Sequence, residues 1–387
     1  MPNPYRVVMN NTILILGGGI AGLTTAIALQ RKHIDFMVFE AVPEITAVGS
    51  GISLAGNAMQ ALEKLSVADD VKAHGHLITS MIIQDEKGNY LSALDTRKFI
   101  EEHGMYNVAI HRGDLHKVLL KNIPTEKILT GKKAVRIQEK ADGVVVMFAD
   151  GSEQQGAAVI VAEGIHSAIR KQLLPDSQPR YSGYTCWRGV TENQWGITQQ
   201  AIETWGPAGR LGYVPIGNNN VYWFACKNAP QLDERMKNFT ISDLVKNFNG
   251  YAHPIPEIIS STPPENLIWS DISDLKPISR FAFNRVLLIG DAAHATTPNL
   301  GQGACLGIED ALLVAEELSQ QNDPVVAFKS FELKRLDRAH FIVNTSYRLG
   351  KIAQVENKIL AGIRNFLVKL TPQHVNEKQV AKVLNIA

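Results

Sequence analysis

Cysteine is scarce in this chain, and its scarcity excludes several classes of protein. Three cysteines occur among 387 residues, at positions 186, 226 and 305. An odd number of widely spaced thiols does not form a disulfide framework, and it lacks the close spacing of a metal site. We therefore expect reduced thiols, no metal and a cytoplasmic location.

An excess of charge of one sign is also lacking. The formal net charge is +1, so we expect no nucleic-acid partner and consider a membrane partner unfavoured. The apolar stretch at 13–29 is broken by glycines and two threonines, which predicts a strand and a helix and not a membrane span. Residues 1–11 have one arginine and no long apolar core, so no signal peptide is predicted.

The sequence contains no catalytic triad, no paired carboxylate site and no P-loop lysine motif. Its composition, 45% hydrophobic and 20% charged, is typical of a globular protein with a substantial core. The length suffices for two domains or one large composite. A bound cofactor is therefore expected to supply the chemistry.

A glycine-rich turn follows the apolar run at 12–16 and precedes a predicted helix at 23–30. A second apolar run at 36–39 ends at Glu40, where an acidic residue would bind a ribose hydroxyl. Strand, glycines, helix, strand and acid in this order predict a dinucleotide site with the phosphates at the helix N-terminus. Gly17 permits the tight turn, Gly19 lets the backbone approach the pyrophosphate, and Gly22 lets the helix pack on the strand.

A second motif lies far downstream, where the buried strand at 285–289 runs into Gly290 and Asp291. Asp291 is expected at the carboxyl edge of the sheet, where such folds bind ligands, although an aspartate there also suits a simple turn. The loop at 298–303 is rigid and rich in small residues, so it suits a flat ring, and a helix begins near Ala304. We expect His294 to belong to the turn and not to act as an acid or base.

The composition changes between about 175 and 277, where all five tryptophans occur. Short β-like runs there predict a mostly antiparallel sheet inserted into the dinucleotide-binding domain. Residues 47–53 predict a small-residue loop, residues 78–95 predict a hairpin, and a long helical tail is expected from about 328 to 370. Ser167 is expected to cap a short helix.

These motifs resemble those of single-component FAD-dependent aromatic hydroxylases, the p-hydroxybenzoate hydroxylase type of flavoprotein monooxygenase, over almost the whole chain. The central motif at 162–170 fits except that Glu163 replaces the usual aspartate, and the segment His111-Arg112-Gly113-Asp114-Leu115 fits the arginine segment of the family. The resemblance implies an α/β fold: a Rossmann-like FAD-binding domain of the glutathione reductase type, an inserted mostly antiparallel β-sheet substrate domain and C-terminal helices.

The implied domain limits are discontinuous. The FAD-binding domain takes residues 1–75, 105–174 and 278–350, the substrate domain takes 76–104 and 175–277, and a C-terminal helical segment takes 351–387. The resemblance implies these cofactor-binding residues: Gly17, Gly19, Ile20, Ala21, Gly22, Glu40, Ala41, Gly51, Arg112, Leu115, Val135, Glu163, Asp291, Pro298, Gly301, Gln302, Gly303 and Ala304.

The implied reaction uses NADH or NADPH as a transient hydride donor to FAD, followed by O₂. A C4a-hydroperoxyflavin then hydroxylates a small aromatic or heteroaromatic substrate. Two alternatives remain open: a flavoenzyme of the same fold with other chemistry, such as an epoxidase or dehydrogenase, and a non-catalytic dinucleotide-binding module. A monomer or a homodimer is expected.

The substrate pocket is expected between the inserted sheet and the flavin loop. An arginine there would hold a planar anionic or carbonyl-bearing ring, since its guanidinium fork suits such acceptors. Alternation along a strand places Tyr222 and Phe224 on one face and Trp223 on the other, although these aromatics also suit a sheet core. The candidates are Arg210, Tyr222, Tyr184, Trp187, Arg188, Phe224 and Pro298.

The tail after residue 350 alternates apolar and basic residues. Such a helix suits either a membrane surface or a protein surface. We expect its apolar positions to pack on the body of the protein or on a partner subunit: Ile352, Val355, Ile359, Ile363, Phe366 and Leu370.

Overall fold

The computed structural model describes residues 11–45 and 50–384, and the strands lie in this order within them. They are β1 (Ile13–Leu16), β2 (Phe36–Phe39), β3 (Gly51–Leu54), β4 (His76–Ile78), β5 (Ser80–Asp85), β6 (Tyr90–Asp95), β7 (Asn107–His111), β8 (Ile128–Leu129), β9 (Ala134–Lys140), β10 (Gly143–Phe148), β11 (Glu153–Gly156), β12 (Ala158–Val161), β13 (Pro179–Glu192), β14 (Gln200–Gly206), β15 (Gly209–Ile216), β16 (Asn220–Asn228), β17 (Ile268–Leu275), β18 (Ala282–Phe283) and β19 (Val286–Leu288).

The α-helices of the same residues connect and cover these strands. They are α1 (Ile20–Arg31), α2 (Gly56–Lys64), α3 (Ala68–His74), α4 (Arg97–His103), α5 (Arg112–Lys121), α6 (Ala168–Leu173), α7 (Glu234–Lys237), α8 (Ile241–Phe248), α9 (Ile255–Ser260), α10 (Asp291–His294), α11 (Gly303–Gln320), α12 (Pro324–Ala353), α13 (Lys358–Leu370) and α14 (Gln373–Leu384).

A six-stranded sheet forms the dinucleotide-binding layer, in the order β18-β19-β12-β1-β2-β8. Its neighbouring strands pair in parallel except for β18, which pairs antiparallel with β19. All four residues of β1 and of β12 are buried, as expected for central parallel strands covered on both faces. The predicted Rossmann-like α/β fold is confirmed.

A seven-stranded sheet forms the second layer, in the order β17-β13-β16-β15-β14-β5-β6. Only the β14–β5 pair is parallel, so the predicted mostly antiparallel character is confirmed. The predicted hairpin at 78–95 is the pair β5–β6. One face of this sheet packs on α8 and α9 through a core that includes Trp187, Trp223 and Phe248.

Two three-stranded sheets, β11-β10-β9 and β3-β7-β4, complete the fold. We propose the domain limits inferred from the sequence, with one exception. Strand β4 lies inside the segment 76–104 yet pairs with β7 and not with the seven-stranded sheet. Positions 47–49 of the predicted small-residue loop lie outside the described residues, as do residues 1–10 of the N-terminal segment.

The long helical tail predicted for 328–370 is interrupted. Helix α12 ends at Ala353 and α13 begins at Lys358, because the Asn357 side chain accepts hydrogen bonds from the backbone N–H groups of Ile359 and Leu360 and so starts a new helix. Across the described ranges, no helix combines the length and apolarity needed to cross a membrane.

A buried ionic network fixes α11 and α12 to the end of β19. The Asp310 carboxylate on α11 accepts hydrogen bonds from the Gly290 backbone N–H at 2.8 Å and from His294 Nε2 at 2.6 Å, and it pairs with Arg335 of α12. Burial alone would raise the pKa of Asp310, but the charges of His294 and Arg335 outweigh it and lower that pKa.

Replacing Asp310 by asparagine is expected to lower the free energy of unfolding by about 3–5 kcal/mol at pH 7, because Arg335 and His294 lose their buried partner. The folded-state pKa is lowered, so this stabilisation is complete above the unfolded pKa of about 3.9 and is lost as the pH falls below it.

Urea denaturation at pH 7 and at pH 3 measures both effects. The matched control is Asp69→Asn, whose fully exposed carboxylate pairs with Lys72 and whose loss should change the stability far less than the loss of Asp310. Equal stabilities for the Asp310 and Asp69 variants at pH 7 would contradict the assignment.

Candidate active site

The glycine-rich turn leaves open space at the start of α1. A side chain on Gly17 would collide with the carbonyl group of Ala162, and one on Gly22 would collide with the carbonyl group of Gly17. A Cβ on Gly19 would meet no atom within 4 Å. The turn is therefore close-packed on its inner side and open at the N-terminus of α1, a geometry that suits a pyrophosphate.

Ile20 and Ala21, the next two residues, pack against the protein interior and do not face this opening. Ile20 is buried in the core, and Ala21 lies against Gly290 and Gly307, which brings the first motif into contact with the second. Glu40 follows β2 and accepts hydrogen bonds from the backbone N–H groups of Gly18 at 2.5 Å and Val42 at 3.0 Å. Its carboxylate is thereby held beside the glycine turn.

Asp291 lies at the carboxyl edge of the six-stranded sheet, as predicted. Its side chain is accessible to solvent, yet the protein surrounds it closely enough for desolvation to raise its pKa against the opposing charges of His294 and Arg112. Arg112 begins α5, and its exposed side chain lies within electrostatic reach of Asp291. Leu115, one turn further along α5, is fully buried in the core.

Glu163 faces its own helix. Its Oε2 accepts hydrogen bonds from Ser167 Oγ at 2.6 Å and from the Ile169 backbone N–H at 3.3 Å. Ser167 Oγ in turn accepts from the Arg170 N–H at 3.0 Å, so the predicted serine cap is confirmed. Burial is the largest influence on Glu163 and raises its pKa. The central motif is thus a capped helix start.

The buried Arg170 joins this central motif to the second flavin motif. Its guanidinium donates to the carbonyl oxygens of Ile165 at 2.5 Å and of Ala292 at 3.4 Å. The interaction holds the loop after β12 next to α10. In the sequence, Arg170 is the last residue of the central motif at 162–170, and nothing in the pattern shows where a buried guanidinium donates.

The loop at 298–304 forms a platform at the start of α11. Gly301 has a φ of +63°, and a Cβ there would meet no atom within 4 Å, so the loop is open on that side. Gln302 is buried and accepts from Asn57 Nδ2 at 3.0 Å, while Gly303 begins α11. The partly buried Ala304 packs against the core.

Asn299, which sequence reasoning did not single out, connects this loop to the seven-stranded sheet. Its Oδ1 accepts hydrogen bonds from Arg210 Nη2 at 2.6 Å and from the Tyr184 hydroxyl at 3.2 Å. Its Nδ2 donates to Thr297 Oγ1 and to the Ser346 carbonyl oxygen, each at 2.8 Å. The sequence signal that could have identified Asn299 is its polar side chain in the loop between Pro298 and Gly301.

The sheet face that meets this loop carries most of the predicted substrate residues. Tyr184 and Arg188 of β13, Arg210 of β15, and Tyr222 and Phe224 of β16 alternate onto it. Trp187 does not: it is fully buried on the opposite face, stacked on Phe239, with its Nε1 donating to the Met236 carbonyl oxygen. An odd-numbered position on β13 cannot share a face with Tyr184, so Trp187 is corrected to a core residue.

Arg210 is a buried cation with unused hydrogen-bonding capacity. Its Nη1 pairs with Glu203 at 3.2 Å, but its buried Nε has no hydrogen-bond partner within residues 11–45 and 50–384. Burial acts to lower the pKa of Arg210, and the charge of Glu203 more than compensates, so the guanidinium stays charged. A free N–H on a buried, fixed guanidinium is suited to a planar acceptor.

Tyr222 brings the same face against β3. Its ring lies against Gly51, where any side chain would collide with it. Gly51 therefore permits the tyrosine to approach β3. The predicted contact of Gly51 with a cofactor stays a prediction. Desolvation raises the pKa of Tyr222 and of Tyr184, so both hydroxyls remain protonated and able to donate.

Two predicted cofactor residues, Ala41 and Val135, are exposed, the second on β9.

The described part of the chain contains no cluster of His, Cys, Asp and Glu side chains that would hold a metal. Glu40 is held beside the open glycine turn, and that turn meets the Asp291 motif where Ala21 lies against Gly290. The platform at 298–304 reaches Arg210 through Asn299. This order of features fits an elongated dinucleotide with a flat ring at the end nearest Arg210.

Comparison with known proteins agrees with this geometry. Residues 10–343 match the family of FAD binding domains. The aurachin C monooxygenase/isomerase of Stigmatella aurantiaca is 40% identical over 365 residues, 93% of this chain and 94% of that protein. The 2-heptyl-3-hydroxy-4(1H)-quinolone synthase of Pseudomonas aeruginosa is 32% identical over 368 residues, 93% and 94% of the two chains.

A solved structure agrees over nearly the whole fold. The crystal structure of Klebsiella pneumoniae HpxO complexed with FAD and uric acid superimposes with a TM-score of 0.91 at 28% identity and covers 97% of each chain. The family match and the relatives each span well over half of this chain. The chain therefore belongs to the FAD-binding family of single-component flavoprotein monooxygenases.

Proposed function

We propose that this enzyme hydroxylates a small heteroaromatic substrate, with FAD as its resident cofactor, NADH or NADPH as electron donor and O₂ as oxidant. In the overall reaction a substrate C–H, O₂, NAD(P)H and one proton become C–OH, water and NAD(P)⁺. FAD, when bound, supplies hydride acceptance and activation of O₂. The protein supplies binding, orientation and exclusion of water.

The observation that carries the proposal is the environment of Arg210. A buried guanidinium is costly unless it is paired, and Arg210 keeps one N–H unpaired beside the platform at 298–304. An anionic or carbonyl-bearing ring would satisfy that donor. Uric acid and quinolone, which occur in the names of the relatives, are flat heteroaromatic compounds with such an edge.

The other residues of the same face would fix the orientation of the ring. Tyr222 would donate its hydroxyl to an oxygen or ring nitrogen, since its raised pKa keeps the proton on it. The rings of Phe224 and Tyr184 lie beside the Arg210 guanidinium, each 5.8 Å from it, and would form flat apolar walls. Arg188, whose Nη1 donates to Ser270 Oγ at 2.9 Å, contributes a second positive charge.

We also propose a reducing, cytoplasmic location. Cys186 and Cys226 lie directly opposite each other on β13 and β16, yet both thiols are free, as is Cys305.

Turnover is tested by incubating the purified protein with NADH or NADPH, O₂ and a panel that includes uric acid and 2-heptyl-4(1H)-quinolone. At least one heteroaromatic compound is expected to stimulate NAD(P)H oxidation and to gain one oxygen atom by mass. A product that loses two hydrogens and gains no oxygen would instead support the dehydrogenase alternative.

Arg210→Met is expected to weaken binding of that substrate by about 10- to 100-fold, because a charged hydrogen bond contributes about 1.5–3 kcal/mol. More NADH oxidation should then end in peroxide and less in hydroxylated product, with FAD content unchanged. The control is Arg235→Met, an exposed arginine on the far side of the sheet. Parental affinity and coupling in Arg210→Met would remove Arg210 from the pocket.

Asp291→Ala is expected to weaken FAD binding by about 10- to 100-fold for the same energetic reason, because its accessible carboxylate would lose a hydrogen bond to the cofactor. Equilibrium dialysis of the protein against FAD measures the change. Asp176→Ala, in an exposed turn, serves as the control. If both variants retain FAD equally, the ribityl contact lies elsewhere.

A further inference from the structure

Helix α13 is fixed on the protein by one of its faces. Ala361 and Arg364 are buried on that face, and the Arg364 guanidinium donates to the Ala353 carbonyl oxygen at 2.9 Å and lies 5.1 Å from the Trp205 ring. These contacts set the rotation of the helix about its axis. The remaining faces of α13 are therefore presented in a defined direction.

The opposite face of α13 is apolar and exposed. Spacings of four, three and four residues place 359, 363, 366 and 370 on one side of the helix, with 360 and 367 next to them. Each of the six side chains is between 52% and 75% exposed with respect to the described residues. They are Ile359, Leu360, Ile363, Phe366, Leu367 and Leu370, together called the α13 ridge.

This arrangement reverses the usual one, in which a surface helix buries its apolar side. Of the two expected partners, the body of the protein and a partner subunit, the first does not cover these positions of α13. A contiguous exposed apolar patch marks a site of contact with a protein or a membrane. Single exposed apolar residues elsewhere, such as Leu333 on α12, form no such patch.

The charges on α13 itself are of one sign. Lys358 and Lys369 are exposed at the two ends of α13, and the helix sequence contains no aspartate or glutamate. The third cation, Arg364, faces inward. An apolar stripe with lysines beside it and no acidic residue is the composition of helices that lie in the interface of anionic bilayers.

We propose that α13 docks the enzyme on an anionic lipid surface, with the α13 ridge inserted at the headgroup boundary and Lys358 and Lys369 at the level of the lipid phosphates. A second copy of the chain is the alternative occupant. Two-fold pairing of ridges would bring lysines of the two copies together, Lys358 near Lys369 in an antiparallel pair and like beside like in a parallel pair. Lipid phosphates offer opposite charge where a second copy offers like charge.

A cavity of about 400 Å³ adjoins the N-terminal end of α13. Its lining extends from Ser182 and Tyr184 of β13 to Gln354 and Asn357, the residue that caps α13. Ser182 Oγ and Gln354 Oε1 are buried without a hydrogen-bond partner among the described residues. Docking of α13 places this cavity, which shares Tyr184 with the candidate active site, beside the lipid surface.

Co-sedimentation of the full-length, flavin-loaded protein with vesicles tests the proposal without any substrate. We expect binding to vesicles of phosphatidylcholine with one quarter phosphatidylglycerol, weaker binding to pure phosphatidylcholine, and weakening by salt. The double variant Ile359→Ser, Phe366→Ser should reduce the partition coefficient at least tenfold. Leu333→Ser, which removes an equally exposed side chain from α12, should leave it unchanged.

The lysines provide an independent variant that preserves the ridge. Lys358→Gln with Lys369→Gln should reduce partitioning to the anionic vesicles by roughly 30-fold, since each lysine near such a surface contributes about a factor of five. Failure of the parent protein to bind anionic vesicles overturns the proposal. A dimer that dissociates in the ridge variant, measured by sedimentation equilibrium without lipid, would assign the ridge to a second copy. Hydroxylation activity is not part of either readout.

Discussion

The Asp310 carboxylate is the interaction on which the cofactor side of the molecule depends. It lies on α11, yet it binds the backbone at Gly290, His294 of α10 and Arg335 of α12. One buried charge thus sets the distance between the last strand of the parallel sheet and the two helices behind it. Asp291 directly follows Gly290, and the loop at 298–304 leads into α11. The positions of both therefore depend on the contacts of Asp310.

His294 illustrates how a suggestive residue acquires a structural role. Its Nε2 is committed to Asp310, and its ring packs near Phe281. A histidine in the second motif, close to Asp291, would suit a general acid or base. The buried ring and its pairing with Asp310 agree with the expectation that His294 belongs to the turn.

Asn299 makes the substrate side and the cofactor side one unit. Arg210 and Tyr184 come from the seven-stranded sheet, whereas Asn299 belongs to the loop that leads into α11. Because the amide is also held by Thr297 and Ser346, a shift of the loop would move the guanidinium. In the proposed complex, the same loop would position the flat ring and the residue that orients its edge.

Much of this could be predicted from the sequence, because the signals are local. Strand, glycine turn and helix at 13–31, the strand before Gly290, the cap at Ser167 and the hairpin at 80–95 each depend on neighbouring residues. The break before α13 was missed because the helical spacing of Ile352, Val355 and Ile359 continues across it.

Strand alternation in the sequence separated Tyr222 and Phe224 from Trp223, but the prediction that Trp187 shares the pocket with Tyr184 and Arg188 broke the same rule and was wrong. Only the tertiary structure decided which face meets the cleft, since α8 and α9 cover the other one. Likewise, the sequence determined that α13 is amphipathic, but the buried contacts of Arg364 decided that its apolar side points away from the protein. Periodicity in the sequence shows which residues of a helix or strand share a face. Which face turns toward the protein depends on the elements that pack against that helix or strand.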